Sequence, residues 1–328
     1  MKVAALVKSL DNVCARYRIA PFIPALRDAS CAVTMLPIPG NLAARMLMFA
    51  RLKSFDVVIL QRRLFPSYEV KFLRRNSRRL IFDFDDAIFC HDSYDPRGVE
   101  SKQRARRFRN LMGQVDGVIA GNDFLRDEAI IAGASAPSVR MIPTCVEPRD
   151  YTPAVPRRKE FLDLVWIGAS GTLRSVVLQK QFFERVADRF PNLRLRMICD
   201  RFPDFARPPI VPIRWSLRTE AAELAAGDIG ISRLPDDRWS RGKCGVKILQ
   251  YCAAGLPVIA NPVGVHSEMI ESGVSGILAD TDEAWFDAID ALADPSLRSR
   301  MGAEGRKSVE RYSVAAHYQG FVEMITRG

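Results

Sequence analysis

The sequence predicts an α/β protein with two doubly wound parallel sheets, each in its own domain, that face one another across a cleft. Three observations support this fold. Short apolar runs alternate with helical segments through residues 1–150, the pattern restarts at Leu162 after a proline-rich stretch, and a glycine-marked segment near residue 245 joins a short helix to a buried strand. Such alternation is typical of parallel sheets. The 328 residues are enough for two domains of ordinary size.

The first domain is predicted over residues 1–152. After the first strand we expect a loop containing Asp11, Asn12, Arg16, Tyr17 and Arg18, and then a helix at about 20–29. Further helices are expected between the later strands. The apolar runs predict strands at 2–8, 32–36, 56–61, 79–84, 116–120 and 139–142.

The second domain is predicted over residues 153–310. A linker rich in proline and charge, from Pro143 to Glu160, precedes it. A short helix and turn over 294–302 should lead into the C-terminal helical segment, whose last part, 311–328, is expected to pack back toward the first domain. Strands are predicted at 162–168, 193–199, 210–214, 228–232, 256–260 and 275–278, with helices near 174–189, 217–226, 245–254 and 282–293.

The chain is basic, with a formal net charge of +10, and residues 1–150 account for +8 of it. Such clusters attract anionic lipid headgroups, and they attract nucleic acid equally well. They can also be no more than solvated helix faces. The clusters are Lys71, Arg74, Arg75, Arg78 and Arg79, and then Lys102, Arg104, Arg106, Arg107 and Arg109.

Composition argues against several other classes of protein. No run of 18 apolar residues occurs, and the first apolar run breaks to charge at Lys8, too soon for a signal peptide, so we expect a cytoplasmic protein. The seven cysteines are scattered and form no Cys-x-x-Cys pair. Neither a disulfide framework nor a zinc site is therefore predicted.

A diphosphate site is predicted at the start of the helix near Gly245. Lys243 precedes this helix and Lys247 lies in its first turn, where ammonium charges and unpaired backbone N–H groups converge. Arg174 is a further candidate cation, and surface charge is the alternative for all three residues. Two glycine-containing turns, 168–171 and 264–266, allow close backbone approach to a phosphate or sugar, although such turns also serve packing.

A second cluster follows the predicted strand at 79–84. Asp83, Asp85 and Asp86 lie where ligands are expected in an open parallel sheet. They could orient an acceptor hydroxyl, pair with Arg16 or Arg18, or bind a metal ion as an Asp-x-Asp site does. The metal interpretation is the least favoured, and we predict no metal.

The segment Gly242–Gly264 resembles the donor site of glycosyltransferase family 4, the group 1 enzymes, which have the two-Rossmann-domain architecture called GT-B. The resemblance extends over most of the chain. It is carried by Phe82–Phe89, Val118–Asn122, Trp166–Gly168, Asp228–Ile231, Leu234–Trp239, Met301–Arg306 and Tyr312–Ser313.

The resemblance implies transfer of a sugar from a nucleotide-diphosphate donor, with retention of anomeric configuration and without a metal or other cofactor. Many members have two glutamates eight positions apart, the second of which contacts the donor ribose. Here Gly242 replaces the first and Gln250 the second, so Glu268 is a candidate for the lost sugar contacts. Gln250 can still hydrogen-bond to ribose hydroxyls. His91 could contact the transferred sugar, as a histidine does in related enzymes, or serve a structural role.

Three sets of residues follow from these arguments. The first domain is expected to bind the acceptor and the second the donor. The predicted catalytic residues are Lys243, Lys247, Arg174 and His91; the donor-binding residues are Gly168, Ser170, Gly171, Gln250, Gly264, Val265, His266 and Glu268; the acceptor-binding residues are Arg16, Arg18, Asp83, Asp85 and Asp86.

The predicted function is therefore that of a cytoplasmic, peripherally membrane-associated glycosyltransferase with a lipid-linked or cell-surface glycan acceptor. Two alternatives on the same fold are a nucleotide-sugar epimerase and a non-catalytic partner of another glycosyltransferase. A phosphorylase is disfavoured because no pyridoxal-binding lysine signature occurs. Nucleic acid is not an expected partner, because the basic runs lack an aromatic stacking motif or a recognition helix.

Overall fold

The computed structural model describes residues 1–153 and 160–327. Within them the chain forms two six-stranded sheets, and every predicted strand is present to within two residues of its predicted bounds. The predicted linker falls partly on residues 154–159, which lie outside the described residues. The strands are β1 (Lys2–Val7), β2 (Ala32–Pro37), β3 (Val57–Gln61), β4 (Arg79–Phe84), β5 (Gly117–Ala120), β6 (Val139–Met141), β7 (Leu162–Ile167), β8 (Leu193–Cys199), β9 (Ile210–Arg214), β10 (Ile229–Ser232), β11 (Val258–Ala260) and β12 (Gly276–Leu278).

Helices connect the strands. None of those in the described part of the chain is both long and apolar enough to cross a membrane. They are α1 (Val13–Arg18), α2 (Ile23–Asp28), α3 (Leu42–Ala50), α4 (Ser67–Arg75), α5 (Lys102–Met112), α6 (Asp123–Ile131), α7 (Ser170–Val177), α8 (Lys180–Arg189), α9 (Glu220–Ala225), α10 (Arg238–Arg241), α11 (Val246–Ala253), α12 (His266–Met269), α13 (Asp282–Ala291), α14 (Pro295–Ser308) and α15 (Val314–Thr326).

Three local predictions were wrong. The expected loop at 11–18 contains α1, because the Asn12 side chain caps it by accepting a hydrogen bond from the Cys14 N–H at 3.0 Å. The single helix expected at 174–189 is two helices, and the first begins at Ser170. No turn occurs at Gly302, which lies inside α14.

All strands of both sheets are parallel. The first sheet has the order β2-β1-β3-β4-β5-β6 and the second the order β12-β11-β10-β7-β8-β9. In each sheet the strand order reverses at one point, between β1 and β3 in the first and between β7 and β10 in the second. Ligands of open α/β sheets bind beyond the carboxyl ends of the strands at such a switch point.

Burial on both faces explains why the strands are nearly continuous apolar runs. In the first sheet Leu6, Leu60 and Phe82 belong to the core on one face, whereas Ala5 and Ile59 belong to the core on the other. Alternate side chains of a strand point to opposite faces, so helices must cover both. Polar side chains are therefore left to the strand ends.

Contacts divide the chain into two compact units. Unit 1 consists of Met1–Cys145, Asp237–Cys244 and Val314–Gly328, and unit 2 of Val146–Asp236 and Gly245–Ser313. The grouping differs from the predicted limits of 1–152, 153–310 and 311–328 mainly in the segment Asp237–Cys244. This segment follows β10 in the chain, but it belongs to unit 1.

Side-chain contacts hold the segment Asp237–Cys244 in unit 1. The Asn122 side-chain amide donates hydrogen bonds to the carbonyl oxygens of Arg241 and Lys243 at 3.2 and 3.1 Å. The Arg238 guanidinium pairs with Glu128 at 2.7 Å. A Cβ added at Gly242 would lie 2.6 Å from the Cβ of Ala87, so the backbone there must carry a glycine. Lys243 is therefore a residue of unit 1.

The packing of α14 gives a prediction about stability. A Cβ at Gly302 would lie 2.0 Å from the carbonyl oxygen of Gly255, which is backbone and cannot move aside. We expect G302A to lower the free energy of unfolding by about 1–3 kcal/mol. G171A is the matched control, because nothing lies within 4 Å of the added methyl group. It should be neutral or stabilising, by up to about 1 kcal/mol. Urea unfolding followed by circular dichroism would measure both, and equal stability of the two variants would contradict this packing.

Candidate active site

The switch point of unit 2 lies between β7 and β10, and open α/β sheets bind ligands in the crevice beyond the carboxyl ends of the strands at such a point. The two strands pair only at Ile229 with Leu164 and at Gly230 with Val165. Beyond this pairing the hydroxyl group of Tyr251 accepts a hydrogen bond from the N–H of Ile167 at 3.1 Å and donates one to the carbonyl of Ile231 at 3.3 Å. The buried phenol thus satisfies backbone groups that the separated strands leave unpaired.

Lys247 lies at the N-terminus of α11, which starts beside this crevice. Gly245 caps the helix in a left-handed conformation (φ 61°), and an added Cβ would lie 2.4 Å from the sulfur of Met269. The ammonium group of Lys247 lies 3.9 Å from the ring centroid of Trp166, a favourable cation–π distance. The amide dipoles at the start of α11 and this ammonium together favour an anion.

His266 joins the loops that follow β10 and β11. Its Nδ1 is 2.9 Å from the carbonyl oxygen of Asn261, and its Nε2 is 3.3 Å from the Ser232 hydroxyl. Burial, with a further contribution from the charge of Lys247, lowers the pKa of His266 to about 4. The ring is therefore neutral at pH 7. It supports the loop of Gly264 and Val265, which were predicted as donor-binding residues, rather than supplying a charge.

Gln250 is 4% exposed and belongs to a buried polar network. Its side-chain amide donates a hydrogen bond to the Glu220 carboxylate at 3.0 Å. The same carboxylate accepts hydrogen bonds from Trp215 Nε1 at 2.6 Å and from the Tyr151 hydroxyl at 3.2 Å. A glutamine fits this position because it donates to Glu220, which a second ionised carboxylate could not do.

Other predicted donor-binding residues lie in the turn between β7 and α7, where the sequence did not predict the contact with Asp200. Ser170 lies two residues after Gly168, and its backbone N–H donates to the Asp200 carboxylate at 2.6 Å. Hydrogen bonds from Ser170 lower the pKa of Asp200. The Asp200 carboxylate therefore accepts a hydrogen bond from the Ser170 amide, which was expected to bind a phosphate. Gly171 and Arg174 are exposed, but Arg174 lies in the last turn of α7 and not in its first turns, because the helix begins four residues earlier than predicted.

Glu268 is exposed on the short helix α12, close after His266. The Arg311 guanidinium donates a hydrogen bond to the carbonyl oxygen of Glu268 at 2.5 Å. The helix α12 follows the carboxyl end of β11 in the chain. Its contact with a sugar stays a prediction.

In unit 1 the first residue of the predicted acidic cluster, Asp83, lies inside β4 and is deeply buried. Asp83 and Arg18 form an ion pair of 2.6 Å with 0% and 1% exposure of their side chains. Burial raises the pKa of Asp83, and the charge of Arg18 opposes this change. The expectation that these two residues bind an acceptor directly is corrected, because neither side chain offers an exposed atom. They hold α1 against the sheet.

Asp85 and Asp86 lie above this pair and keep 13% and 14% exposure of their side chains. The Arg62 guanidinium lies 3.2 Å from Asp85 and 2.6 Å from Asp86, and Lys243 lies 3.6 Å from Asp86. Arg16 stacks over the ring of Tyr17 at 4.5 Å in the same unit. Asp85, Asp86 and Lys243 thus form a charged cluster at the carboxyl edge of the first sheet.

His91 lies in the loop between β4 and α5, also in unit 1. Its Nδ1 is 3.4 Å from Asp95 and 3.4 Å from the Arg97 guanidinium. Arg97 donates two side-chain hydrogen bonds to Asp95. These hydrogen bonds lower the pKa of Asp95. The contacts fit a structural role, and a contact of His91 with the transferred sugar stays a prediction.

The predicted site residues therefore divide between the units. Lys247, Gln250 and His266 belong to unit 2, whereas Lys243, predicted beside them at a helix start, belongs to unit 1. Sequence reasoning missed Glu220 and Asp200. It placed Arg62 directly after a buried strand but did not decide what the side chain faces. Across residues 1–153 and 160–327 no group of three or more His, Cys, Asp or Glu side chains could hold a metal ion.

Comparison with solved structures identifies the fold as GT-B. The chain is similar to Anabaena Alr3699/HepE, solved with UDP and glucose, at 15% identity and a TM-score of 0.69 over 99% of both chains. It is also similar to sucrose-phosphate synthase from Thermosynechococcus elongatus, at 13% identity and a TM-score of 0.74 over 98% of both. For the lipopolysaccharide outer core galactosyltransferase WaaB the values are 13% and 0.68 over 99% of both.

A family model gives the chemical class. Residues 174–294 match the model described as "Glycosyl transferases group 1", which covers the segment with Lys243, Lys247 and Gln250. This segment is a group 1 glycosyltransferase domain, and the protein is a transferase. The resemblance and the fold class predicted from the sequence are confirmed at this level. No curated protein matched the chain.

The Gln250–Glu220 contact gives a prediction about pH. In Q250E two carboxyl groups would be buried about 3 Å apart, so folding must bind a proton that the unfolded chain releases. The free energy of unfolding should therefore fall as pH rises from 5 to 8, by up to about 1.4 kcal/mol per pH unit. Thermal unfolding at each pH would measure this. Q250M is the control, since it removes the hydrogen bond without adding charge and should lose the same stability at every pH. Parallel pH curves for the two variants would contradict the contact.

Proposed function

We propose that the protein transfers a sugar from a nucleotide-diphosphate donor to a lipid-linked or cell-surface glycan, with retention of anomeric configuration and without a metal or other cofactor. The observation that carries this proposal is the position of Lys247, inside the group 1 match and at the start of α11 beside the crevice of unit 2. HepE was solved with UDP-glucose, so UDP-glucose is the first donor to test.

The donor step needs positive charge at the leaving group. The bond between the anomeric carbon and the β-phosphate oxygen breaks, the acceptor oxygen bonds to that carbon and gives its proton to the departing phosphate, and the nucleoside diphosphate leaves. Charge grows on the departing phosphate, and fixed cations and amide dipoles stabilise it. Lys247 and the N–H groups at the start of α11 supply such a charge. Lys243 and Arg174 remain predicted phosphate ligands.

The acceptor step needs groups that bind a hydroxyl. Asp85 and Asp86 are carboxylates directly after the carboxyl end of β4, one strand from the switch point of the first sheet, and they accept hydrogen bonds well. Sugar hydroxyls are donors of the matching kind. We therefore propose unit 1 as the acceptor-binding unit, with these two carboxylates as its contacts.

Replacing Lys247 tests the donor proposal. K247A should lower kcat/KM for sugar transfer from UDP-glucose about 100-fold or more, because one fixed charge at the leaving group is lost. K247R should lose less, since it keeps the charge. Release of UDP and formation of glycosylated product would be measured over a panel of nucleotide sugars. K180A is the matched control, because Lys180 is an exposed lysine of unit 2 that pairs only loosely with Glu184, at 3.7 Å.

Two results would contradict this proposal. One is a K247A variant whose kcat/KM equals that of the parent with every donor that the parent uses. The other is conversion of UDP-glucose to a different nucleotide sugar in the absence of an acceptor, which would indicate an epimerase. The anomeric configuration of the product, determined by NMR, would test retention separately.

We also propose that unit 1 works at the cytoplasmic face of an anionic membrane. Its residues comprise 27 Lys and Arg against 16 Asp and Glu, a formal net charge of +11, whereas those of unit 2 comprise 21 against 22. Anionic lipids attract basic surfaces. Neighbouring helices add an apolar edge, since Leu47 on α3 and Tyr68 on α4 are each 57% exposed. Exposed basic residues share these helices and α5: Lys71, Arg75, Lys102, Arg106 and Arg109.

Vesicle binding tests the membrane proposal. The parent should float with vesicles of phosphatidylglycerol and phosphatidylcholine and be released at high salt, which screens the charges. L47E should weaken this binding about tenfold, because an exposed leucine that would insert among the lipids is replaced by a carboxylate that the anionic headgroups repel. I131E is the matched control, because Ile131 is 78% exposed but lies on α6. Equal loss in both variants, or binding of RNA instead of vesicles at moderate salt, would contradict the proposed surface.

A further inference from the structure

Arg62 occupies an unusual position in unit 1. It is the residue directly after β3, beside the point where the strand order of the first sheet reverses. Its backbone is left-handed, with φ 53°. Residues other than glycine adopt this conformation at a cost, and such strain is concentrated at functional sites. The surrounding structure must therefore favour the side chain that this residue carries.

The backbone of Arg62 is held by hydrogen bonds to the first sheet. Its N–H donates a hydrogen bond to the carbonyl oxygen of Asp83 at 2.9 Å, which continues the pairing of β3 with β4. The preceding residue, Gln61, is 4% exposed and donates to the Asp83 carboxylate at 3.2 Å. The position of the Arg62 Cα is thus set by the sheet, and the left-handed turn directs the rest of the chain away from it.

The guanidinium of Arg62 connects two consecutive carboxylates. One terminal nitrogen lies 2.6 Å from Asp86, and the other lies 3.2 Å from Asp85 and donates to the sulfur of Cys14. Burial, with the charge of Asp85, raises the pKa of the Cys14 thiol to about 12, so this sulfur is neutral. Burial alone would lower the pKa of Arg62, but Asp85 and Asp86 raise it well above its ordinary value.

A guanidinium suits this task better than an ammonium group. Its planar group donates one hydrogen bond to Asp86 while its other terminal nitrogen lies in charge contact with Asp85, whereas a lysine is a single point of charge. Without such a bridge, adjacent carboxylates repel one another and separate. Lys243 pairs with Asp86 at 3.6 Å but does not reach Asp85 in the same way. Arg62 is therefore the group that fixes the spacing of the two carboxylates.

A different ion pair in unit 1 already has a purely structural role. Arg18 and Asp83, fully buried, hold α1 to the sheet. Arg62 by contrast keeps 27% exposure of its side chain, at the carboxyl edge where ligands bind. Its partners Asp85 and Asp86 are also partly exposed. Each of these carboxylates keeps part of its side chain exposed and has one oxygen, Oδ1, without a hydrogen-bond partner in the described part of the chain, whereas the pair beneath them is fully buried.

We propose that Arg62 is a positioning residue for the acceptor: it holds the Asp85 and Asp86 carboxylates at the spacing that binds a sugar hydroxyl. This inference rests on the proposed function and extends it, because it assigns to unit 1 a residue on which acceptor binding depends. It separates the two substrates kinetically. Loss of Arg62 should weaken acceptor binding much more than donor binding.

Steady-state kinetics with R62G and R62K test the inference. The glycine variant keeps the left-handed backbone without the side chain, and R62K keeps the charge without the fork. The probes are UDP-glucose, or the nucleotide sugar that the parent uses, and a panel of octyl glycosides as acceptors. R62G should raise the acceptor KM, or lower the acceptor kcat/KM, about 100-fold, as expected for a misplaced binding group. Its donor KM should stay within about twofold of the parent, because the proposed donor contacts lie in unit 2 and a positioning role in unit 1 does not alter them.

Rescue and a matched control complete the experiment. Added guanidinium ion at low millimolar concentration should restore part of the R62G activity, and R62K should retain an intermediate part. R63A is the control, because Arg63 is the next residue and is exposed. Circular dichroism and thermal unfolding would confirm that each variant folds; if R62G does not fold, the KM and kcat of R62K decide the test.

The outcomes are distinct. An acceptor-specific loss in R62G that guanidinium partly restores, with R63A unchanged, would support the inference. Equal losses for donor and acceptor, or an R62G enzyme as active as R63A, would overturn it while the proposed function stands. A parent enzyme that transfers sugar from no donor would overturn the proposed function, and the acceptor role of Arg62 with it.

Discussion

Because every strand of each sheet is parallel, every strand ends at the same edge, and the remaining structure depends on this constraint. The sheets are buried on both faces, so they accept almost only apolar side chains along their length. Polar and charged groups collect beyond the strand ends, and the switch points open a crevice among them. In unit 2 the hydroxyl of Tyr251 supports the opened strands by bonding to Ile167 and Ile231. In unit 1 the corresponding point lies beside Arg62.

The two units satisfy their polar groups in different ways. Unit 1 uses ion pairs in two layers, a buried one of Arg18 with Asp83 and a partly exposed one around Arg62. Each buried charge there has an opposite charge, as burial requires. Unit 2 places the neutral His266 between the loops that follow β10 and β11, and it holds the cation Lys247 against an aromatic ring. A cation at the start of a helix suits an anionic ligand.

Departures from the family pattern also have a physical explanation. The expected second glutamate is Gln250, and its amide lies against the Glu220 carboxylate. The negative charge of the motif is thus carried by a residue thirty positions earlier in the chain. The first glutamate is Gly242, whose backbone packs so closely on Ala87 that no side chain fits. Both substitutions follow from local contacts, so they are compatible with a working site in the group 1 domain.

The sequence by itself determined the fold class, the positions of the strands and the segment that carries the group 1 match. Those features depend on local patterns, because the period of apolar residues and the glycine positions are set within a few residues of one another. Only the tertiary structure decided that Lys243 belongs to unit 1, that Arg18 and Asp83 are inaccessible, and that Glu220 is the partner of Gln250. These outcomes depend on hydrogen bonds and ion pairs between residues distant in the chain. The local pattern does not show which partner a charged side chain contacts, because the packing of the sheets and helices determines which distant residues come together.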